Sequence, residues 1–191
     1  MRPIMPGPRR DVACRVSGGS SDAASFWAAA RGRRGESINA ASRQTFAGLV
    51  ARVFRSPNIV VFEAVEEGVP TYLVELIAAV MQQPASVVMN IIGVSPTTFR
   101  RKEKANEPLP DLAGHRVMGF LRIAATLRRL IDDSGDQEAA SSFDLDAWLA
   151  RWLRQPLPAL AGRRPVEMLR NPERIRAVEQ VLERMYGGLA A

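Results

Sequence analysis

Residues 115–131 read HRVMGFLRIAATLRRLI, and the spacing of their apolar side chains decides the fold. Val117, Phe120, Leu121, Ala124, Leu127 and Ile131 recur at steps of three and four, so on a helix they share one face. A face of that kind is stabilised by burial against other elements, which predicts a core helix over His115–Ile131. No stretch of the chain alternates with period two for long enough to build a sheet. The expected fold is therefore all-α.

Further helices are marked off on the N-terminal side. From Gln44 onward Phe46, Leu49, Val50, Val53 and Phe54 repeat with helical spacing, and Pro57 ends the run. A second helix, Asn58 to Glu67, stops at Gly68, and Pro70 opens a third that runs from Thr71 to Met81. After Pro84 comes a short helix, Ala85 to Ile92, then Gly93-Val94 and a new start at Ser95-Pro96. There Ser95 can cap free amides, and Pro96 lacks the proton that would go unbonded.

On the C-terminal side Asp132 to Asp144 is polar and reads as a loop. Leu145 to Leu153 is helical and carries Trp148 and Trp152 four residues apart, a spacing at which they would stack. Gln155 to Pro165 is a loop punctuated by proline and glycine. The last helix takes Asn171 as cap and Pro172 as first residue, buries Ile175, Val178, Leu182 and Met185, and ends at Gly187-Gly188. Residues 1–43 mix Pro, Gly, Arg, Ser and Ala without a sustained period and are expected to form a disordered basic tail. Three units result: the tail 1–43, a helical domain 44–131 and a second helical domain 132–191.

Composition narrows the functional classes. The 191-residue chain contains a single Cys (Cys14) and a single His (His115), which cannot assemble a Cys/His zinc site, a redox pair or a disulfide framework. No apolar run reaches the roughly 20 residues of a membrane span, and the charged start is not followed by the apolar run of a secretory signal. A cytoplasmic location with no membrane partner is expected. The net charge of +6 suggests a polyanionic partner. Yet residues 1–43 hold eight arginines against three acids, and residues 106–191 are neutral. Of the basic residues only Lys102 and Lys104 are lysines, an arginine bias that also marks GC-rich coding sequences.

Catalysis finds little support. His115 stands beside Arg116 with no nucleophile near it in sequence, Asp132-Asp133 reads as a solvated helix end, and no phosphate-binding glycine pattern is present. No catalytic residue, metal or cofactor is expected, and the chain is read as a non-enzyme.

Ala85 to Lys104 is more informative. A short helix, a tight turn at Gly93, an apolar anchor at Val94 and a second helix make the pattern of a helix-turn-helix. The second helix offers Thr97, Thr98, Arg100, Arg101, Lys102 and Lys104 beside the cap Ser95, with Phe99 facing inward. Arginine can read guanine or clamp phosphate, and threonine can touch thymine methyls or the backbone. These seven residues are the candidate DNA-binding set. Met89 stands where many such motifs carry a small residue.

Two halves of a family pattern surround this segment. Glu67-Gly68-Val69-Pro70, Ile92-Gly93-Val94-Ser95-Pro96-Thr97-Thr98-Phe99-Arg100-Arg101 and His115-Arg116 resemble the N-terminal half of the Xre/MbcA/ParS antitoxins. Trp152-Leu153-Arg154-Gln155-Pro156, Pro158 to Pro165, Glu167, Leu169, Val178, Leu182 and Gly188 resemble that family's toxin-binding domain. The likeness covers about residues 60–191. Leu157 replaces the usual Asn, Ala161 the first Gly of a pair, and Arg174 a Gly near the start of the last helix. The segment before Trp152 is longer than usual and holds the extra Trp148.

The resemblance implies an Xre-like helix-turn-helix bundle followed by a small toxin-binding and dimerisation domain. It implies a homodimeric cytosolic antitoxin that sterically blocks an NAD-consuming RES-domain toxin and represses its own operon by binding operator DNA. The toxin-binding residues implied are Trp152, Leu160, Gly162, Arg163, Arg164 and Pro165, with the tail Gly188, Leu189, Ala190 and Ala191. The alternative is a stand-alone helix-turn-helix regulator whose second domain only dimerises.

Overall fold

The structure, a computed structural model, describes residues 26–27 and 40–187. Among them the regular elements are helices, apart from one isolated antiparallel bridge between Leu157 and Arg163. In chain order they are α1 (Ala40–Arg55), α2 (Asn58–Glu67), α3 (Tyr72–Met81), α4 (Ala85–Ile92), α5 (Pro96–Ala105) and α6 (Asp111–Asp132). There follow α7 (Gln137–Ser142), α8 (Leu145–Trp152), a 3-10 turn at Pro158–Leu160, α9 (Pro165–Met168) and α10 (Pro172–Gly187). The fold is all-α, as its periodicity predicts.

The helix read from residues 115–131 is the central element. As α6 it begins earlier than expected, after Pro110, and Leu109 N–H donates to the Val69 carbonyl at 2.8 Å to fix its approach. It is covered on more than one face. α1 packs along it on one side and α10 on another, with α2, α4 and α8 also in contact. Met118, Gly119, Ile123 and Ala125 are therefore buried together with the predicted stripe. Gly119 is what lets α10 come so close: a Cβ there would run into Cδ1 of Ile175.

Helices α3, α4 and α5 end in the same way. In each, a left-handed residue (Gln82, Gly93, Asn106) sends its N–H three residues back and the next N–H five residues back. The longer bonds are Gln83 to Ala78 at 3.0 Å, Val94 to Met89 at 2.9 Å and Glu107 to Lys102 at 2.8 Å. This is the Schellman closure, which satisfies carbonyls left open at a helix end. Only the glycine case announces itself in a sequence.

Several expectations are corrected. Phe26 and Trp27 lie within the segment read as a disordered tail, yet both are buried in the core. The Trp27 indole donates to the Ala64 carbonyl at 3.0 Å, the Tyr72 hydroxyl donates to the Trp27 carbonyl at 2.9 Å, and the two aromatic rings meet edge to face. Two large aromatic side chains bury enough surface to hold a short segment whose neighbours show no period. The other residues of 1–39, Cys14 included, lie outside the described residues. The presumed loop Asp132–Asp144 contains the short helix α7. Phe54 and Met185, assigned to buried stripes, are 45% and 44% exposed at the ends of their helices. Among the described residues no single helix is long and apolar enough to cross a membrane.

Candidate functional site

Two surfaces gather the candidate residues. The first is α5. Ser95 caps it, its Oγ accepting the Thr98 N–H at 3.1 Å and donating to Thr98 Oγ1 at 2.9 Å, so both hydroxyls are committed to the helix start. Val94 and Phe99 are buried and seat the helix on the core. Thr97, Arg100, Arg101 and Lys104 are exposed and spaced i, i+3, i+4, i+7, which places them on one face turned away from Phe99. Glu107 pairs with Arg101 at 3.3 Å and with the largely buried Lys102 at 3.4 Å. Among the described residues no carboxylate pairs with Arg100 or Lys104. The seven-residue set thus divides. Four side chains project together, Ser95 and Thr98 build the cap, and Lys102 is drawn aside.

The second surface is the chain between α8 and α10. Asp144 caps α8 by accepting the Ala147 N–H at 2.9 Å. That N–H, with Arg43 at 3.1 Å, holds the Asp144 carboxyl below its ordinary pKa, whereas burial pushes Asp146 above its own. On α8 Trp148 and Trp152 stack with centroids 5.5 Å apart and planes 18° from parallel, as their spacing predicts. After α8 the chain is pinned by Leu157 N–H to the Arg163 carbonyl at 3.1 Å and Gly162 N–H to the Leu157 carbonyl at 3.0 Å. Its tip is a turn across Leu160–Arg163, closed by Arg163 N–H to the Leu160 carbonyl at 3.1 Å. Ala161 and Gly162 both lie in the left-handed region, at φ 55° and 75°. Two successive positive φ values define a type I′ turn.

Leu160 points inward and is buried, while Ala161, Gly162, Arg163 and Arg164 are exposed. Pro165 is buried as the first residue of α9, and Val166 N–H closes the loop on the Leu153 carbonyl at 3.0 Å. Among the described residues neither Arg163 nor Arg164 has an acidic partner. The outcome is a stiff loop carrying two unpaired guanidinium groups on its outer side.

Residues 135–188, which span this loop, match the family described as the antitoxin Xre/MbcA/ParS C-terminal toxin-binding domain. Through this segment the chain is similar to the Xre/MbcA/ParS antitoxins. It is also 27% identical over 139 residues to the Prs ADP-ribosylating antitoxin of Sphingobium sp. (strain YBL2), an alignment covering 73% of this chain and 86% of that protein. Both likenesses support an antitoxin role in a toxin-antitoxin system, with a toxin as partner.

The implied toxin-binding residues separate by burial. Gly162, Arg163 and Arg164 are available to a partner. Trp152, Leu160 and Pro165 are buried, and Gly188 to Ala191 lie outside the described residues. Arg116, which the family pattern includes without a role, donates to the Ile92 carbonyl at 2.7 Å across the α4–α5 turn. The type I′ turn also explains the glycine pair that Ala161 interrupts: both turn positions need a positive φ. An alanine there is strained by about 1–2 kcal/mol, partly offset because glycine leaves the unfolded chain freer. Ala161→Gly is therefore expected to stabilise the protein by roughly 0.5–1 kcal/mol, read as a rise in the thermal midpoint.

Proposed function

We propose that this antitoxin neutralises an NAD-consuming RES-type toxin by covering its active site with the C-terminal domain. We further propose that it represses its own operon through α4, the Gly93 turn and α5 acting as a helix-turn-helix. The observation that carries the first part is the rigid type I′ loop bearing Arg163 and Arg164 inside the toxin-binding domain. Two unpaired cations on a stiff loop suit a cleft shaped for the phosphates of a dinucleotide. The name of the Sphingobium relative adds support, since ADP-ribosylation draws its ADP-ribose from NAD. The tail Gly188, Leu189, Ala190 and Ala191 is proposed to enter the same cleft. The antitoxin is further proposed to work in the cytoplasm as a homodimer joined through its C-terminal half, and not to act as an enzyme itself.

The single-face array of Thr97, Arg100, Arg101 and Lys104 supports the DNA-binding part. A capped helix with basic residues in one stripe, seated by Phe99, is what a major groove admits. Arg100→Ala with Arg101→Ala is expected to weaken operator binding by about 1–3 kcal/mol per lost base contact and to flatten the salt dependence. Lys102→Ala, whose amine already faces Glu107, should do much less. Binding isotherms over a salt series measure both. Co-expression with the product of the adjacent gene tests the antitoxin pairing: growth rescue and co-purification of a RES-domain protein are expected. Capture of no such protein, with operator binding intact, would favour the stand-alone regulator instead.

A further inference from the structure

Arg116 belongs to neither surface and has no acidic partner among the described residues. It stands on the second turn of α6, half-buried, with Nη1 donating to the Ile92 carbonyl at 2.7 Å. Its Nε is buried and has no hydrogen-bond partner. The guanidinium fills the space over Gly93, where a Cβ would run into Nη1. Gly93 therefore answers two demands at once, a φ of 74° and room for this side chain.

A half-buried cation without a counter-charge is costly. What offsets it here is the carbonyl end of α4, where the helix dipole places partial negative charge, and a charge-assisted hydrogen bond. The Met89 and Asn90 carbonyls are taken by the N–H groups of Val94 and Gly93, and Arg116 takes that of Ile92. The end of α4 is thus tied directly to the central helix at the residue before the turn. The direction in which α5 leaves that turn is held by Val94 and Phe99 in the core and by Arg116 over Gly93.

We propose that Arg116 is a positioning residue for operator recognition. It locks the α4–α5 turn so that Thr97, Arg100, Arg101 and Lys104 meet the groove together. This rests on the DNA-binding reading above. A looser turn spoils base contacts, which need fixed geometry, but leaves the attraction between arginines and phosphates.

The test uses the full chain and two duplexes, one lying immediately upstream of its own coding sequence and one of the same length and composition in scrambled order. Arg116→Met keeps the apolar stem and should lose about tenfold or more of the preference for the upstream duplex. Affinity for the scrambled duplex should stay within about twofold, because the phosphate contacts persist. Arg116→Lys, which keeps a donor and the charge, should recover most of the preference. If Arg116→Met does not fold, Arg116→Gln carries the same comparison. An unchanged preference in the neutral variant, with wild type discriminating, overturns the proposal alone. A wild-type chain that does not discriminate overturns the DNA-binding reading and this proposal with it.

Discussion

Trp152→Ala is expected to cost about 3–5 kcal/mol of stability and to abolish toxin capture at physiological temperature. The side chain is 3% exposed, stacks on Trp148, and lies between Leu149 and Leu153, both fully buried. α8 in turn packs on α3 and touches α6, so a cavity here opens at the junction of the toxin-binding domain with the rest of the core. The loss is comparable to a large part of the roughly 5–15 kcal/mol that holds a typical domain together. Capture should fail because Leu153, the next residue, receives the Val166 N–H that closes the arginine-bearing loop. Trp152→Phe should be far milder. It keeps the stack and removes an indole Nε1 that is buried without a hydrogen-bond partner, a group costly to leave unsatisfied. Thermal melts paired with toxin pull-downs of both variants measure the contrast. Equal losses for the two would contradict this account of the packing.

Arg163→Glu combined with Arg164→Glu should have the opposite character. Both side chains are exposed and unpaired among the described residues, so stability should change by less than about 0.5 kcal/mol. Toxin binding should fall by about 2–5 kcal/mol, since charges reversed against a cleft built for anions are repelled as well as left without partners. Titration calorimetry against the toxin reads the loss, and a melt confirms the intact fold. Unchanged affinity would place the toxin contact elsewhere on residues 135–188.

These two expectations show where the sequence was legible. The helix boundaries of α2, α3 and α4, the cap at Ser95, the inward Phe99 and the stacked tryptophans followed from spacing and punctuation, because each is local. Non-local features were hidden. The anchoring of Phe26 and Trp27 depends on Ala64 and Tyr72, far along the chain. The burial of α6 on several faces depends on α10 reaching Gly119. The candidate sites divided in the same way. The family pattern pointed to Trp152 through Pro165, but only the packing separates the arginines a partner can touch from the buried tryptophan, leucine and proline. On α5 the sequence offered four basic residues, and Glu107, beyond the helix, is what occupies Arg101 and Lys102.

The proposed closure of an NAD-consuming toxin's active site is tested most directly by following NAD consumption by the product of the adjacent gene while it is titrated with the full chain. Consumption should fall to background at a defined equivalence point and persist when the Arg163→Glu, Arg164→Glu chain is added instead. Undiminished NAD consumption in the presence of excess wild-type chain would contradict that closure.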